Sequence, residues 1–295
     1  MPEIIHPKNI ILGTAQFGLN YGISNTKGQV QQEEVCKILA YAAQQGVTTI
    51  DTAAAYGNSE EALGFALQET KTAFNIISKL PPVASAKLVR QKVEESLEKL
   101  KVEQLHGYLL HNYSIFHNTP DVVEEIYVLQ QEGLIKNIGF SLYYPSEAKA
   151  ILEKEINFQM VQFPYNVFDQ RFETVLHELK AKGVETHARS AFLQGLFFMN
   201  TESLPSYFKS VADKIAAVQQ LASEEAIPLH ALLMQFVLLQ QGIDRIVIGV
   251  DSLETFHQNI DVINYQANKQ ELLVRLKELA IEDENIILPY NWKVA

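Results

Sequence analysis

Residues 46–79 read GVTTIDTAAAYGNSEEALGFALQETKTAFNIISK. Val47-Thr48-Thr49-Ile50 is a short β-branched run that follows a glycine stop, and Asn75 to Lys79 is a second run of the same kind. The stretch between them, from Glu60 to Glu69, has a helical composition. A strand, a helix and a strand in succession make a crossover unit, and a crossover joins parallel strands.

The same alternation continues on both sides. Upstream lie the strand Asn9 to Thr14 and a helix from Glu34 to Gln45, with Val35, Ile38, Leu39 and Ala42 on one face. Downstream, strands are predicted at Tyr108–Leu110, Ile135–Ser141, Phe158–Phe163, Val184–Ala188 and Arg245–Val250. Helices are predicted at Lys87–Leu100, Asp121–Gln131, Ser146–Leu152 and Gln170–Lys180. Strand centres fall 23 to 39 residues apart, except for a final gap of 61. That gap holds a loop at Met199–Ser206 and helices near Phe208–Glu225 and His230–Gln240. Helices near Leu253–Val262 and Lys269–Leu279 and a tail complete the chain.

Eight such units close into a (β/α)8 TIM barrel. A doubly wound open sheet is the rival, but a dinucleotide binder of that kind shows G-x-G-x-x-G after its first strand. Here the first strand runs into GTAQFGLNYG. No composition break divides the chain, so residues 1–295 are expected to form one domain.

The chain has 295 residues, of which 47% are hydrophobic and 20% charged, and a formal charge of −11. That balance excludes disorder and makes nucleic acid or an anionic membrane an unsuitable partner. One cysteine, Cys36, allows neither a disulfide framework nor a cysteine metal site, and its place in an amphipathic helix points to packing. The start Met-Pro-Glu-Ile-Ile-His lacks a signal peptide's pattern, and no apolar run is long enough to span a bilayer, so a cytoplasmic protein is expected.

Barrel sites lie at the C-terminal ends of strands. Those ends carry Asp51 and Tyr56, Lys79, His111, Ser141, Gln162, then Arg189 and Ser190, then Gly249 and Asp251. Asp, Tyr, Lys and His together suit proton donation to a carbonyl. A lysine ammonium beside the phenol is expected to lower the tyrosine's pKa from about 10. The aspartate keeps the lysine charged, and a neutral imidazole orients the carbonyl. Such a site supplies an acid and no electrons, so reduction requires a hydride cofactor.

The chain resembles the aldo-keto reductases. The matching pieces are LGTAQFG, GVTTIDTAAAYGNSEEALG, SKL, LLHN, IGFS, VQFPYN, RSAFLQGLF and RIVIGVDSLETFHQNI, in the family's order over residues 9 to 262. The resemblance implies a barrel that binds extended NAD(P)H, with Tyr56 as general acid and Asp51, Lys79 and His111 as its partners. It implies Ser141 and Gln162 at the nicotinamide carboxamide, and Thr14 and Asp51 at the nicotinamide ribose. It also implies Ser190, Phe192 and Gly195 around the pyrophosphate, and Gln258 and Asn259 at the adenine end. The partner is then a small-molecule carbonyl substrate, with a keto-sugar within the family's range. A cofactor sensor or regulatory subunit on the same fold is the alternative.

Three positions depart from the family's pattern. Arg189 replaces the usual aromatic that stacks beneath the nicotinamide, and its charge is expected to disfavour the oxidised cofactor. Gly249 and Thr255 stand where NADPH users place basic residues. With Asp251 close by, they favour NADH or dual use over strict NADPH, unless Arg245 or Lys209 restores phosphate binding. Leu142 stands where many relatives have Asn. Asp251 or Ser252 also reads as a cap for the following helix. Phe17, Tyr21, Tyr113 and Tyr144 are candidate pocket walls, together with segments 113–120, 197–207 and the tail from Asp283. The acidic run Glu282-Asp283-Glu284 reads as solvated tail.

Overall fold

β1 (Ile10–Gly13), β2 (Thr49–Asp51), β3 (Asn75–Leu80), β4 (Leu105–Leu110), β5 (Ile135–Ser141), β6 (Met160–Pro164), β7 (Glu185–Arg189) and β8 (Arg245–Gly249) follow chain order around a closed barrel. Every neighbouring pair is parallel, and β8 returns to β1 with Gly13 beside Gly249. The computed structural model describes residues 5–23, 25–83, 85–265 and 270–293. The expectations for Met1 to Ile4, for a helix start at Lys269 and for the last two residues lie outside them.

Strands covered on both faces read as continuous apolar runs, and Ile10-Ile11-Leu12 is fully buried. Ile11, Ile77, Leu109 and Met160 cluster apart from the main core, with Val247 packed against them, and fill the middle of the barrel. Gly107 makes room there: a Cβ on it would lie 2.7 Å from the Met160 sulfur. β4 starts at Leu105 rather than at Tyr108, because Leu105 pairs with Ile135 and Gly107 with Ile77 and Asn137. A glycine inside a strand reads as a break, yet here it admits a larger neighbour.

Below this layer, Arg245 pairs with Glu185 at 2.6 Å and donates to Thr49 Oγ1 at 2.7 Å. The hydrogen bond from His187, with Arg245 beside it, holds Glu185 down to about 2 despite partial burial. Arg245 therefore belongs to the closed end of the barrel, opposite the strand ends, and cannot rescue cofactor phosphate binding there.

The helices that cover the barrel include Gln32–Gln44, Ser59–Thr70, Lys87–Leu100, Val122–Gln131, Pro145–Glu153 and Glu173–Ala181. The last starts three residues later than Gln170, because Asn166 closes a turn by accepting from the Phe168 and Asp169 N–H groups. The long gap after β7 carries short 3₁₀ turns where a loop is predicted, then Ala212–Glu224 and Leu229–Leu238. Ala231 to Leu238 are buried, as in an inner helix. Among the described residues no single helix is long and apolar enough to cross a membrane.

Glu282, Asp283 and Glu284 are exposed as expected, while the segment that follows them packs onto the core. Asp283 caps Glu284–Ile287, Glu284 meets Arg171, and Ile286, Ile287 and Leu288 are buried. Cys36 packs against the core as expected.

Candidate active site

Four side chains meet where β2, β3 and β4 end. Lys79 is fully buried and its ammonium has three oxygen neighbours: Asp51 Oδ1 at 2.5 Å, the Thr52 carbonyl at 2.9 Å and the Tyr56 hydroxyl at 3.4 Å. Gln162 Nε2 donates to the other Asp51 oxygen at 2.9 Å. The Tyr56 and His111 rings meet edge to face, 5.7 Å between centroids. The Thr14 hydroxyl donates to the Asp51 carbonyl, and Ser59 in turn donates to the Thr14 carbonyl at 2.8 Å.

Tyr56 sits on a loop that only glycine permits at its contact. A Cβ on Gly18 would lie 1.8 Å from the Tyr56 carbonyl oxygen, and one on Gly57 would lie 2.3 Å from the Gly18 carbonyl oxygen. The two loops are in backbone contact, which places the phenol over Lys79.

The electrostatics differ from the sequence expectation in sign. Burial raises the Tyr56 phenol well above its ordinary range, and the Asp51 carboxylate adds to the rise. Arg189 is the cation that opposes it. Lys79 is pulled down by the same burial, while its contact with Asp51 works to keep it charged. Tyr56 is thus held as a neutral acid.

Burial, with Lys79 and Arg189 nearby, pushes the His111 imidazole down to about 3, so it is neutral near pH 7 as expected. The unfolded chain takes up that proton near 6.5. Stability from this residue is complete above that value and is lost as pH falls towards 3. The melting temperature of wild type should therefore drop more than that of His111→Gln between about pH 7 and pH 4. Parallel curves for the two proteins would rule this out.

The tetrad opens into a cavity of about 460 Å³. Lys79 lies behind its wall, while Tyr56, His111 and Asp51 line it. So do Thr14, Ser141, Gln162, Arg189, Ser190, Phe192, Gly195, Gly249, Asp251, Gln258 and Asn259. The barrel thus gathers the sequence candidates, from β1 round to the helix Leu253–Ile260, in one trough.

Two orphaned atoms in that trough fit a polar ligand. Asn259 Nδ2 and Gln16 Oε1 are buried with no hydrogen-bond partner. Gln16 packs flat on Gly249, where a Cβ would come within 2.5 Å of its amide oxygen. Ser190, Leu193, Gln194 and Gly195 all have positive φ, and Asn166 Nδ2 holds the Ser190 carbonyl at 3.1 Å. This tight turn rims the trough with backbone, a shape that suits phosphate oxygens. These groups fit an extended nicotinamide dinucleotide.

Several expectations are corrected here. Phe17 is core, Tyr113 packs on Phe116 and His117, and Tyr144 bonds Tyr290, so of the four aromatics only Tyr21 lines the cavity. Among the described residues of the expected wall segments only Phe198 does so, and Lys209 does not. Ser252 caps the helix by accepting from the Thr255 N–H. Asp251 instead braces that cap, accepting from Thr255 Oγ1 at 2.6 Å and Ser252 Oγ at 3.1 Å. Gln16, Asn166, Tyr143 and His230 were not foreseen. Gln16 and Asn166 lie within the quoted LGTAQFG and VQFPYN stretches, but what they meet in the trough, Gly249 and the Ser190 carbonyl, is distant in sequence.

Fold and site together define an NAD(P)-dependent oxidoreductase on a (β/α)8 barrel. The chain belongs to the aldo/keto reductase family, whose model matches residues 9–280. It is 24% identical to an uncharacterized oxidoreductase, YqkF, of Bacillus subtilis (strain 168), over 92% of this chain and 96% of that one. It is 23% identical to the NADH-specific methylglyoxal reductase of Escherichia coli (strain K12), over 91% of this chain and 93% of that one. Among solved structures, aldo-keto reductase AKR11C1 from Bacillus halodurans (holo form) shares the fold at a TM-score of 0.77 and 20% identity, covering 92% of each chain.

Proposed function

We propose that this protein reduces an aldehyde or ketone to an alcohol, with Tyr56 as the proton donor. The observation that carries this reading is the contact of Tyr56 with Lys79 and His111 at the floor of the trough. When bound, a reduced nicotinamide supplies the hydride for the carbonyl carbon. Ser141 and Gln162 would hold its carboxamide end, the Ser190–Gly195 turn its phosphates, and Gln258 and Asn259 its adenine. Tyr56 gives its phenolic proton to the carbonyl oxygen. Lys79 steadies the phenolate left behind, and neutral His111 directs the carbonyl towards the phenol. Tyr21 and Tyr143 line this end, and the reading extends to a small dicarbonyl or a sugar-type carbonyl as substrate.

Methylglyoxal is the first substrate to test. Purified protein should oxidise NADH or NADPH in its presence, read as loss of the reduced cofactor's absorbance. Tight cofactor binding with no turnover across aldehydes and keto-sugars would overturn the reading in favour of a cofactor sensor.

The adenosine end favours NADH or dual use. No lysine or arginine is among the described cavity-lining residues there, and the Asp251 carboxylate faces it. A carboxylate accepts from a ribose diol and repels a 2′-phosphate. Lys27 is the nearest counterweight, with its ammonium 3.4 Å from Ser252 Oγ. Titration should give an NADH affinity equal to or above that for NADPH, and Asp251→Asn should shift the ratio towards NADPH. NADPH binding tenfold or more tighter than NADH in the wild type would refute this.

A further inference from the structure

Arg189 closes β7 and is the one lysine or arginine among the described cavity-lining residues. Its guanidinium lies over the Tyr143 ring, 4.3 Å from the centroid. Tyr143 is itself held from the side by Tyr290, ring edge to ring face at 4.9 Å. One Arg189 amine donates to the Leu142 carbonyl at 3.2 Å and the other to Ser190 Oγ at 3.5 Å. Neither acceptor is charged. The two carboxylates that line the cavity are engaged elsewhere, Asp51 with Lys79 and Gln162, Asp251 with Ser252 and Thr255. Arg189 is therefore a flat cation, backed by a ring and uncompensated by any described carboxylate.

Its charge falls at the reacting end of the trough, where it acts on Tyr56, Lys79, His111 and Tyr21. Resting on the reading above, a hydride carrier must place its ring beside the carbonyl that Tyr56 protonates, and so beside Arg189. That ring is neutral when reduced and carries a positive charge when oxidised. The Lys79–Asp51 pair is neutral as a unit and discriminates little between the two states. Arg189 repels one of them.

We propose that Arg189 makes this site select the redox state of its cofactor, holding the reduced nicotinamide more tightly than the oxidised one. After reduction of a carbonyl, the oxidised carrier leaves readily. In the reverse direction, oxidised cofactor held against Arg189 is a stronger hydride acceptor than in a neutral site. Repulsion between two like unit charges in one partly screened site corresponds to a preference of roughly 10- to 100-fold. For a two-electron couple each tenfold raises the bound potential by about 30 mV.

The test is a binding titration of the full chain with NADH and NAD⁺, and with the phosphorylated pair, in wild type, Arg189→Met and Arg189→Lys. The ratio of oxidised to reduced dissociation constants should fall roughly 10- to 100-fold in Arg189→Met and stay near the wild-type value in Arg189→Lys. An unchanged ratio in Arg189→Met, or a collapsed one in Arg189→Lys, overturns the proposal and leaves the carbonyl reductase reading standing. Failure of the wild type to bind either form overturns both. If Arg189→Met does not fold, Arg189→Gln takes its place, with the same fall in the ratio expected and an unchanged ratio overturning the proposal.

Discussion

Tyr56→Phe should lower the turnover number by about 10²- to 10⁴-fold, the range for loss of a positioned general acid. The ring keeps its volume, and the hydroxyl's one described polar contact is with Lys79 at 3.4 Å. Lys79 retains Asp51 and the Thr52 carbonyl as acceptors, so no buried cation is stranded. The change in stability should be about 1 kcal/mol or less. Affinity for reduced cofactor should be unchanged, because the hydroxyl faces the carbonyl. Burial and Asp51 keep the phenol protonated through the neutral range, so the wild-type reduction rate should show no loss of the Tyr56 proton near neutrality. Turnover that survives in Tyr56→Phe would remove this residue from the chemistry.

Lys79→Met should cost more, in a different quantity. Lys79 is 0% and Asp51 2% exposed, so the substitution strands a carboxylate whose remaining side-chain donor is Gln162. Removing one member of a buried pair costs roughly 3–5 kcal/mol, whereas neutralising both members is often tolerated. Lys79→Met should therefore lose stability on that scale, with activity lost as well. Asp51→Asn combined with Lys79→Met should recover most of the stability and none of the activity. Chemical denaturation of the three proteins measures this. A single variant within about 1 kcal/mol of wild type would show that the pair is not charged in the folded protein.

The elements that were readable from the chain are those whose signal is local. Lys87–Leu100 and Ile135–Ser141 show the predicted limits, the first from its apolar stripe at Val89, Val93, Leu97 and Leu100, the second from a short run of strand composition. The reading failed where a distant group overrides the local pattern. Gly107 is in a strand because it pairs with Ile77 and Asn137, and Tyr113–Asn118 forms a short helix with no apolar stripe to announce it. The site follows the same division. Asp51, Tyr56, Lys79 and His111 were nameable because each ends a strand. Tyr143 came to notice only through its stacking under Arg189, and Asn166 only through its grip on Ser190.

By itself the sequence determined eight strand–helix units in chain order. It thereby determined which side chains stand at the open end of a parallel barrel, because periodicity and turn chemistry act over a few neighbouring residues. The tertiary structure alone decided what those side chains are. Closing the barrel sets a half-buried Tyr56 beside Asp51, which turns a phenol expected to be acidified into one held protonated. The same closure leaves Arg189 with no described carboxylate to pair with. Desolvation and Coulomb forces depend on everything within several ångströms, and in this fold those neighbours come from all eight strands.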